Sequence, residues 1–156
     1  MQFSSATALI TGANRGIGRA LLDRLLADGV PKIYATARTA SEADKLSAVD
    51  QRVTGLVLDV TNPAQIEAAA GRARDVTLLI NNAGVLDFGN FLDAGRAQVE
   101  RNFATNFYGT LDVTKAFVPA IEANGGGTIV NLLTLVALAS MPGLSVYNAS
   151  KAAVHH

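Results

Sequence analysis

The chain has 156 residues, of which 13 are basic and 13 are acidic, and it contains no cysteine. A chain of roughly 150 residues has room for one ordinary domain but not for two. The balanced charge provides no general attraction to nucleic acid or to an anionic membrane. The lack of cysteine excludes a disulfide framework, a thiolate nucleophile and a Cys-ligated zinc site.

No segment of the sequence has the pattern of a membrane span or a signal peptide. The longest apolar run, 132–139, is far shorter than the ~18 residues that a membrane-spanning helix needs. The N-terminus lacks a basic region followed by a long apolar core. We therefore expect a cytoplasmic protein with neither a nucleic-acid nor a membrane partner.

Short β-rich runs alternate with amphipathic helical stretches along the chain, the pattern of a parallel sheet with helices on both faces. The predicted strands are 7–11, 32–37, 53–60, 76–80 and 128–133. The first predicted helix spans about 16–28. The second begins at a capping box formed by Ser41 and Asp44, and the third runs from an N-cap at Thr61 to about Ala73. The fourth spans about 93–124, and the fifth begins near Tyr147. The sequence therefore predicts an α/β fold.

A glycine-rich turn, Thr11-Gly-Ala-Asn-Arg-Gly-Ile-Gly18, lies between the first strand and the first helix. Its glycines permit a tight turn and close approach to a pyrophosphate, and the helix N-terminus offers free N–H groups. The spacing G-x-x-x-G-x-G matches neither the dinucleotide fingerprint G-x-G-x-x-G nor the P-loop. An ordinary strand-to-helix turn is thus the competing interpretation, although the position after the first strand favours nucleotide binding.

Two arginines indicate which dinucleotide such a site would prefer. An NAD site places an acidic residue about 20 residues beyond the turn, at the end of the second strand. Here that strand is followed by Arg38, and Arg15 lies inside the glycine turn. A guanidinium group matches the oxygens of a 2′-phosphate, so the pair favours NADP(H) over NAD(H), although each could also be a solvated surface arginine.

Five motifs, in order and in register, carry a family resemblance. They are the glycine turn, Asp59 in Leu-Asp-Val, the run Asn81-Asn-Ala-Gly84, Asn106 in the long helix, and Tyr147-Asn-Ala-Ser-Lys151. In these the chain resembles the short-chain dehydrogenase/reductase family, which implies a Rossmann-like doubly wound parallel sheet. The resemblance covers only about the first two thirds of the family pattern. We therefore expect residues 1–156 to form a dinucleotide-binding domain with strands 1 to 5, apparently truncated before the C-terminal strands.

The resemblance also assigns a cofactor site. It places the pyrophosphate at the glycine turn, the adenine at Asp59 and Val60, and the adenosine ribose beside the Asn81 run. The predicted cofactor residues are Gly12, Asn14, Arg15, Gly16, Ile17, Gly18, Arg38, Asp59, Val60, Asn81, Ala83, Gly84, Tyr147 and Lys151. By itself, Asn81 followed by a second asparagine could equally be a simple turn.

Tyr147 and Lys151 are four residues apart and so share one face of a helix. A nearby ammonium favours the phenolate and would lower the tyrosine pKa, which makes the pair a usable general acid/base. The resemblance implies a substrate-binding serine, where this chain has Thr134; Ser140 and Ser145 are alternatives. It also assigns Asn106 to a proton relay, although a buried asparagine bonded to a helix carbonyl is the competing interpretation.

The implied reaction is an NADP(H)-dependent hydride transfer between a carbonyl compound, with an apolar one favoured, and a secondary alcohol. A truncated, non-catalytic nucleotide-binding module is the chief alternative, and a nucleotide-independent interaction domain is a second. The fifth strand would form an exposed apolar edge, which predicts a homo-oligomer. The pair His155-His156 is either native helix or the start of a tag.

Overall fold

The computed structural model describes residues 3–156. Five parallel strands form one sheet in the order β3-β2-β1-β4-β5. The strands are β1 Thr7–Ile10, β2 Lys32–Ala37, β3 Val53–Val57, β4 Leu78–Asn81 and β5 Thr128–Asn131. The helices are α1 Gly16–Ala27, α2 Ala40–Ser47, α3 Pro63–Arg72, α4 Arg96–Phe103, α5 Gly109–Ala123 and α6 Ser145–His155. The predicted Rossmann-like doubly wound α/β sheet is confirmed.

Successive strand residues point to opposite faces, and helices cover both faces of the central strands. Ile10 belongs to the core cluster on the side of α1, together with Leu22 and Leu25 of that helix. Leu9 belongs to the cluster on the opposite side, where it joins Phe117 of α5. A strand followed by a helix, repeated along the chain, thus leaves the carboxyl ends of all the strands at one edge.

The long helical region predicted over 93–124 is interrupted by a wide π-helical turn at Ala104–Tyr108, which joins α4 to α5. Short 3-10 turns occur at Phe3–Ser5 and Leu135–Ala137. Within residues 3–156 no helix is both long enough and apolar enough to cross a membrane.

Two helix N-caps were predicted one or two residues away from their true positions. Helix α2 is capped by Thr39 instead of Ser41, since the Thr39 side chain accepts from the Glu42 backbone N–H. Helix α3 is capped by Asn62, whose side chain accepts from two backbone N–H groups of the first turn. The Thr61 hydroxyl instead donates to the Asp59 carboxylate at 2.7 Å, so it is not the cap.

The strand ends also differ from prediction. Strand β3 ends at Val57, three residues early, and β5 ends at Asn131, two residues early. One backbone hydrogen bond continues the pairing beyond each end, from the Leu58 N–H to the Ala37 carbonyl and from the Leu132 N–H to the Asn81 carbonyl. All four residues of β5 are exposed, and within the described part of the chain β5 pairs only with β4.

Candidate active site

A cleft of about 670 Å³ lies outside the carboxyl ends of β1, β3 and β4. Its walls include the glycine turn, the segment after β3, the segment after β4, and part of α4 with the π-helical turn. The predicted cofactor residues that line it are Gly12, Asn14, Arg15, Gly16, Ile17, Gly18, Arg38, Asp59, Val60, Ala83 and Gly84. Asn81, Tyr147 and Lys151 do not belong to this lining.

The glycine turn is as compact as the motif predicts. Gly12 and Gly16 have left-handed backbones, with φ of +66° and +56°. A Cβ atom on Gly18 would lie 2.2 Å from the Gly12 carbonyl oxygen and 2.4 Å from Nδ2 of Asn82. A side chain at position 18 would therefore push α1 away from β1 and β4, so glycine is required there.

Asn82, which follows β4, forms hydrogen bonds with this turn. Its Nδ2 donates to the carbonyls of Thr11 and Gly12 at 2.8 Å and 3.0 Å. In return, Thr11 Oγ1 accepts from the backbone N–H groups of Asn82 and Ala83, both at 2.9 Å. This reciprocal pairing fixes the relative position of two walls of the cleft.

Asn81 was the predicted cofactor residue at the end of β4, but Asn82 is the asparagine that bonds the glycine turn. Asn81 is buried below the cleft, where its Nδ2 donates to Thr114 of α5 and to Asn131 of β5. Consecutive strand residues face opposite sides, so only one of two adjacent asparagines can turn toward the glycine turn. Leu79 and Ile80 are both apolar and are buried on opposite sides of the sheet, so the sequence carries no signal for this choice.

The cleft has the donor groups that a phosphate-bearing nucleotide needs. Helix α1 begins at its wall, and Arg15 at the N-cap makes no side-chain capping bond. Arg15 and Arg38 are both exposed there, and neither forms an ion pair with any residue of 3–156. A helix N-terminus and two unpaired guanidinium groups fit an anionic ligand, and the glycines leave room for it.

Lys151 of α6 is buried, and its Nζ donates to the Leu132 carbonyl at 2.9 Å. Burial lowers the pKa of Lys151, whereas burial raises the pKa of the half-buried Tyr147. The expected lowering of the Tyr147 pKa by the lysine is thus wrong, since burial raises it. The lysine ammonium is directed at the carbonyl, so the loss of water around the phenol dominates.

Asn106, in the π-helical turn, is fully buried and fixes the loop after β4. Its Oδ1 accepts from the Val85 N–H, and its Nδ2 donates to the Val85 carbonyl and to Ser150 Oγ, each at 2.9 Å. Ser150 Oγ donates in turn to the Tyr147 carbonyl at 2.8 Å. The Asn106 side chain therefore links the loop after β4 to helix α6. The competing interpretation, a bond to a helix carbonyl, does not describe these partners.

Gly84 connects the cleft with this second group of residues. It lines the cleft, and a Cβ atom built on it would lie 3.2 Å from Asn106 Oδ1 and 3.6 Å from Lys151 Nζ. The lysine ammonium and the asparagine amide thus approach the same point of the cleft wall. A side chain at Gly84 would crowd both of these groups, so glycine leaves the space beside them open.

Thr134 follows β5 and begins the 3-10 turn at Leu135–Ala137. Its Oγ1 accepts from the Val136 N–H at 3.4 Å, a long capping bond. Of its alternatives, Ser140 lies on the exposed loop that follows and Ser145 begins α6. Thr134 thus combines a half-buried position with a weakly engaged hydroxyl.

Comparison with known proteins identifies the family. The model of the short chain dehydrogenase family matches residues 6–156. The chain is 34% identical to "Oxidoreductase UcpA" of Escherichia coli K12 over 98% of this chain and 61% of that protein. It is 32% identical to "Oxidoreductase calM" of Penicillium decumbens over 97% of this chain and 53% of that protein.

A solved structure agrees closely with the fold. A short chain dehydrogenase from Burkholderia cenocepacia J2315, in complex with NADP, superimposes with a TM-score of 0.92 at 40% identity, covering 99% of this chain and 64% of that one. The chain therefore spans between about half and two thirds of the length of these proteins. With its parallel sheet, its glycine turn and its Tyr147/Lys151 helix, this chain belongs to the short chain dehydrogenase family.

Proposed function

We propose that this chain is the dinucleotide-binding and catalytic part of an NADP(H)-dependent oxidoreductase that interconverts a carbonyl compound and a secondary alcohol. The observation that carries the proposal is the position of Gly84. It joins the nucleotide-sized cleft to Lys151 and Asn106, so that the cofactor residues and the α6 residues act on one ligand. The Burkholderia relative in complex with NADP supports the same cofactor.

The proposed cofactor contacts use the lining described above. The N-terminus of α1 and the glycine turn hold the pyrophosphate, Asp59 and Val60 hold the adenine end, and Arg15 and Arg38 hold the 2′-phosphate. Lys151 has three donor hydrogens, of which the bond to Leu132 uses one. Two hydrogens remain for the hydroxyls of the nicotinamide ribose.

The proton chemistry belongs to α6. When bound, the nicotinamide supplies or accepts the hydride at the carbon atom. Tyr147 transfers the proton at the substrate oxygen, and the Thr134 hydroxyl donates a hydrogen bond to that oxygen. Because burial raises the Tyr147 pKa, the phenol keeps its proton at neutral pH and acts as the acid in carbonyl reduction.

The substrate side is apolar. The loop after β4 and the loop before α6 are joined by bonds from Gly89 N–H to the Gly143 carbonyl at 2.8 Å and from Ser145 N–H to the Gly89 carbonyl at 3.2 Å. These loops expose Phe88 (80%) and Leu135 (77%). Such a surface favours an apolar carbonyl compound over a charged one.

The exposed strand β5 supports a homo-oligomer as the assembly. Ile129 and Val130 are each 38% exposed on a strand whose outer edge has no partner within residues 3–156. Unpaired strand edges with apolar side chains promote association. Sedimentation at micromolar concentration tests this, and a clean monomer would contradict it.

The replacement Tyr147→Phe tests the proposed function. We expect it to abolish NADPH oxidation against a panel of apolar ketones and aldehydes, while NADPH affinity measured by calorimetry stays within about threefold. The matched control is Tyr108→Phe, since Tyr108 is exposed and lies outside the cleft. Full activity in Tyr147→Phe would contradict the assignment, whereas NADPH binding without activity in the wild type would favour the non-catalytic module.

A further inference from the structure

The carboxylate of Glu42 makes two side-chain hydrogen bonds at the rim of the cleft. Its Oε1 accepts from Nδ2 of Asn14 at 2.8 Å, and its Oε2 accepts from Oγ1 of Thr39 at 2.9 Å. Both donors are neutral, and Glu42 forms no ion pair with any residue of 3–156. Its negative charge is therefore held in place without being compensated by a cation.

The two donors identify where this charge acts. Asn14 precedes Arg15 in the glycine turn, and Thr39 follows Arg38 at the end of β2. Each partner of the carboxylate is thus the chain neighbour of one of the two arginines that line the cleft. The carboxylate thus bonds the residue beside Arg15 and the residue beside Arg38.

The contact also joins two loops that are distant in sequence. Asn14 belongs to the turn after β1, whereas Glu42 belongs to the first turn of α2, which follows β2. The bond between them spans 28 residues. It therefore holds the glycine turn, and Arg15 with it, at a fixed distance from Arg38.

We propose that Glu42 is a specificity-determining residue that positions the glycine turn through Asn14 and, by its charge, limits the preference of the two arginines for a 2′-phosphorylated nucleotide. This inference rests on the proposed function, because it assumes that the cleft binds a nicotinamide dinucleotide. The two effects are separable: glutamine keeps an acceptor oxygen for Asn14 and offers its amide N–H to the Thr39 hydroxyl while removing the charge, whereas alanine removes both bonds and the charge.

The magnitude follows from electrostatics at a partly exposed surface. A unit charge several ångströms from a phosphate, in a medium close to water, changes its affinity on the order of threefold to tenfold. The same charge has little effect on a nucleotide without the 2′-phosphate. Added salt screens the interaction, so the difference decreases as the ionic strength rises.

The experiment measures the binding of 2′,5′-ADP and of 5′-AMP to the 156-residue chain by calorimetry, in the wild type, Glu42→Gln, Glu42→Ala and Asp44→Asn. Asp44→Asn is the matched control, because Asp44 carries the same charge on the same helix and makes no side-chain contact with Asn14. Thermal unfolding and circular dichroism verify that each variant is folded.

We expect Glu42→Gln to raise the preference for 2′,5′-ADP over 5′-AMP about threefold to tenfold at low salt, with 5′-AMP affinity within about twofold. Glu42→Ala should raise the same preference while weakening 5′-AMP severalfold, since the turn loses its bond. Asp44→Asn should change the preference less than about twofold.

Two results would overturn the inference while leaving the proposed function intact: an unchanged preference in Glu42→Gln, or an equal rise in Asp44→Asn, which would mean that any charge on α2 acts in this way. If the wild type binds neither nucleotide, the proposed function and the inference both fail. A chain that binds both nucleotides but catalyses nothing leaves this inference standing.

Discussion

The two ends of the candidate site are built differently. At the nucleotide end, four hydrogen bonds join Thr11 and Gly12 to Asn82 and Ala83, and the adjoining strand β1 lies in the centre of the sheet. At the catalytic end, β5 is exposed along its whole length, and Thr134 makes one long bond. Helix α6 is bonded to the rest of the site through the side chains of Asn106 and Lys151.

The difference shows how a binding surface and a reactive surface are stabilised in one sheet. The nucleotide end is specified by close backbone packing, so a small steric change should disturb it strongly. The catalytic end is specified by individual hydrogen bonds, so the loss of a bond should matter more than a change in volume. The following substitutions test this contrast.

The largest effect is expected for Gly18→Ala. The added methyl group would lie 2.2 Å from the Gly12 carbonyl oxygen, which belongs to the backbone and has no room to withdraw. We expect a loss of about 2–3 kcal/mol in the free energy of unfolding and a fall in NADPH affinity on the order of 100-fold. Denaturant unfolding and calorimetry measure the two quantities.

Gly71→Ala provides the matched control, because nothing lies within 4 Å of a Cβ atom at Gly71 in helix α3. It should stabilise the chain by about 0.5–1 kcal/mol. An equal loss of stability in both variants would show that the close packing at Gly18 is not the cause.

Asn106→Ala should be next in size. It removes the bonds to both backbone groups of Val85 and to Ser150, and it leaves buried polar groups unpaired. We expect a loss of about 2–3 kcal/mol in the free energy of unfolding. Asn124→Ala is the control: Asn124 also makes two bonds to backbone carbonyls, but at an exposed site, and its loss should cost less than about 1 kcal/mol. Similar losses for both would contradict the importance of burial here.

Replacing the cleft arginines should change selectivity more than stability. We expect Arg38→Ala, and likewise Arg15→Ala, to weaken NADPH about tenfold and NADH less than twofold, because only NADPH carries the 2′-phosphate. Arg24→Ala on α1 is the control, since Arg24 pairs with Asp28 and does not line the cleft. Equal titration curves for the two dinucleotides in the wild type would refute the roles of both arginines.

The smallest effect concerns the titration of Tyr147. Burial raises its pKa above the ordinary 10.0, so the folded ligand-free chain retains the phenol proton where the unfolded chain has lost it. Stability should therefore fall as pH rises from 10 through the folded pKa. The difference in phenolate absorbance between the wild type and Tyr147→Phe measures this pKa directly. A value below 10 in the absence of ligand would show that the ammonium of Lys151 prevails over burial.

The fold and the nucleotide end could largely be predicted from the sequence, because strands, helices and the glycine turn are local patterns. The choice between Asn81 and Asn82 could not, since it depends on the phase of β4 within the sheet. Thr39 and Ser41 are both competent caps, and only the path of the backbone selects Thr39. Asn106 bonds the backbone of Val85 and Lys151 bonds the backbone of Leu132, 21 and 19 residues away, and no side-chain motif records such partners.

The bond from Lys151 to the Leu132 carbonyl has a consequence for how this site responds to mutation. Every amino acid at position 132 presents the same carbonyl oxygen, so a scan of side chains would report that residue as a packing position and leave the lysine anchored. The anchor would be revealed only by altering the main chain itself, for example by an amide-to-ester replacement between Leu132 and Leu133, which weakens that oxygen as an acceptor. Part of the proposed catalytic machinery is thus encoded in the path of the main chain after β5 instead of in the identity of any side chain at position 132.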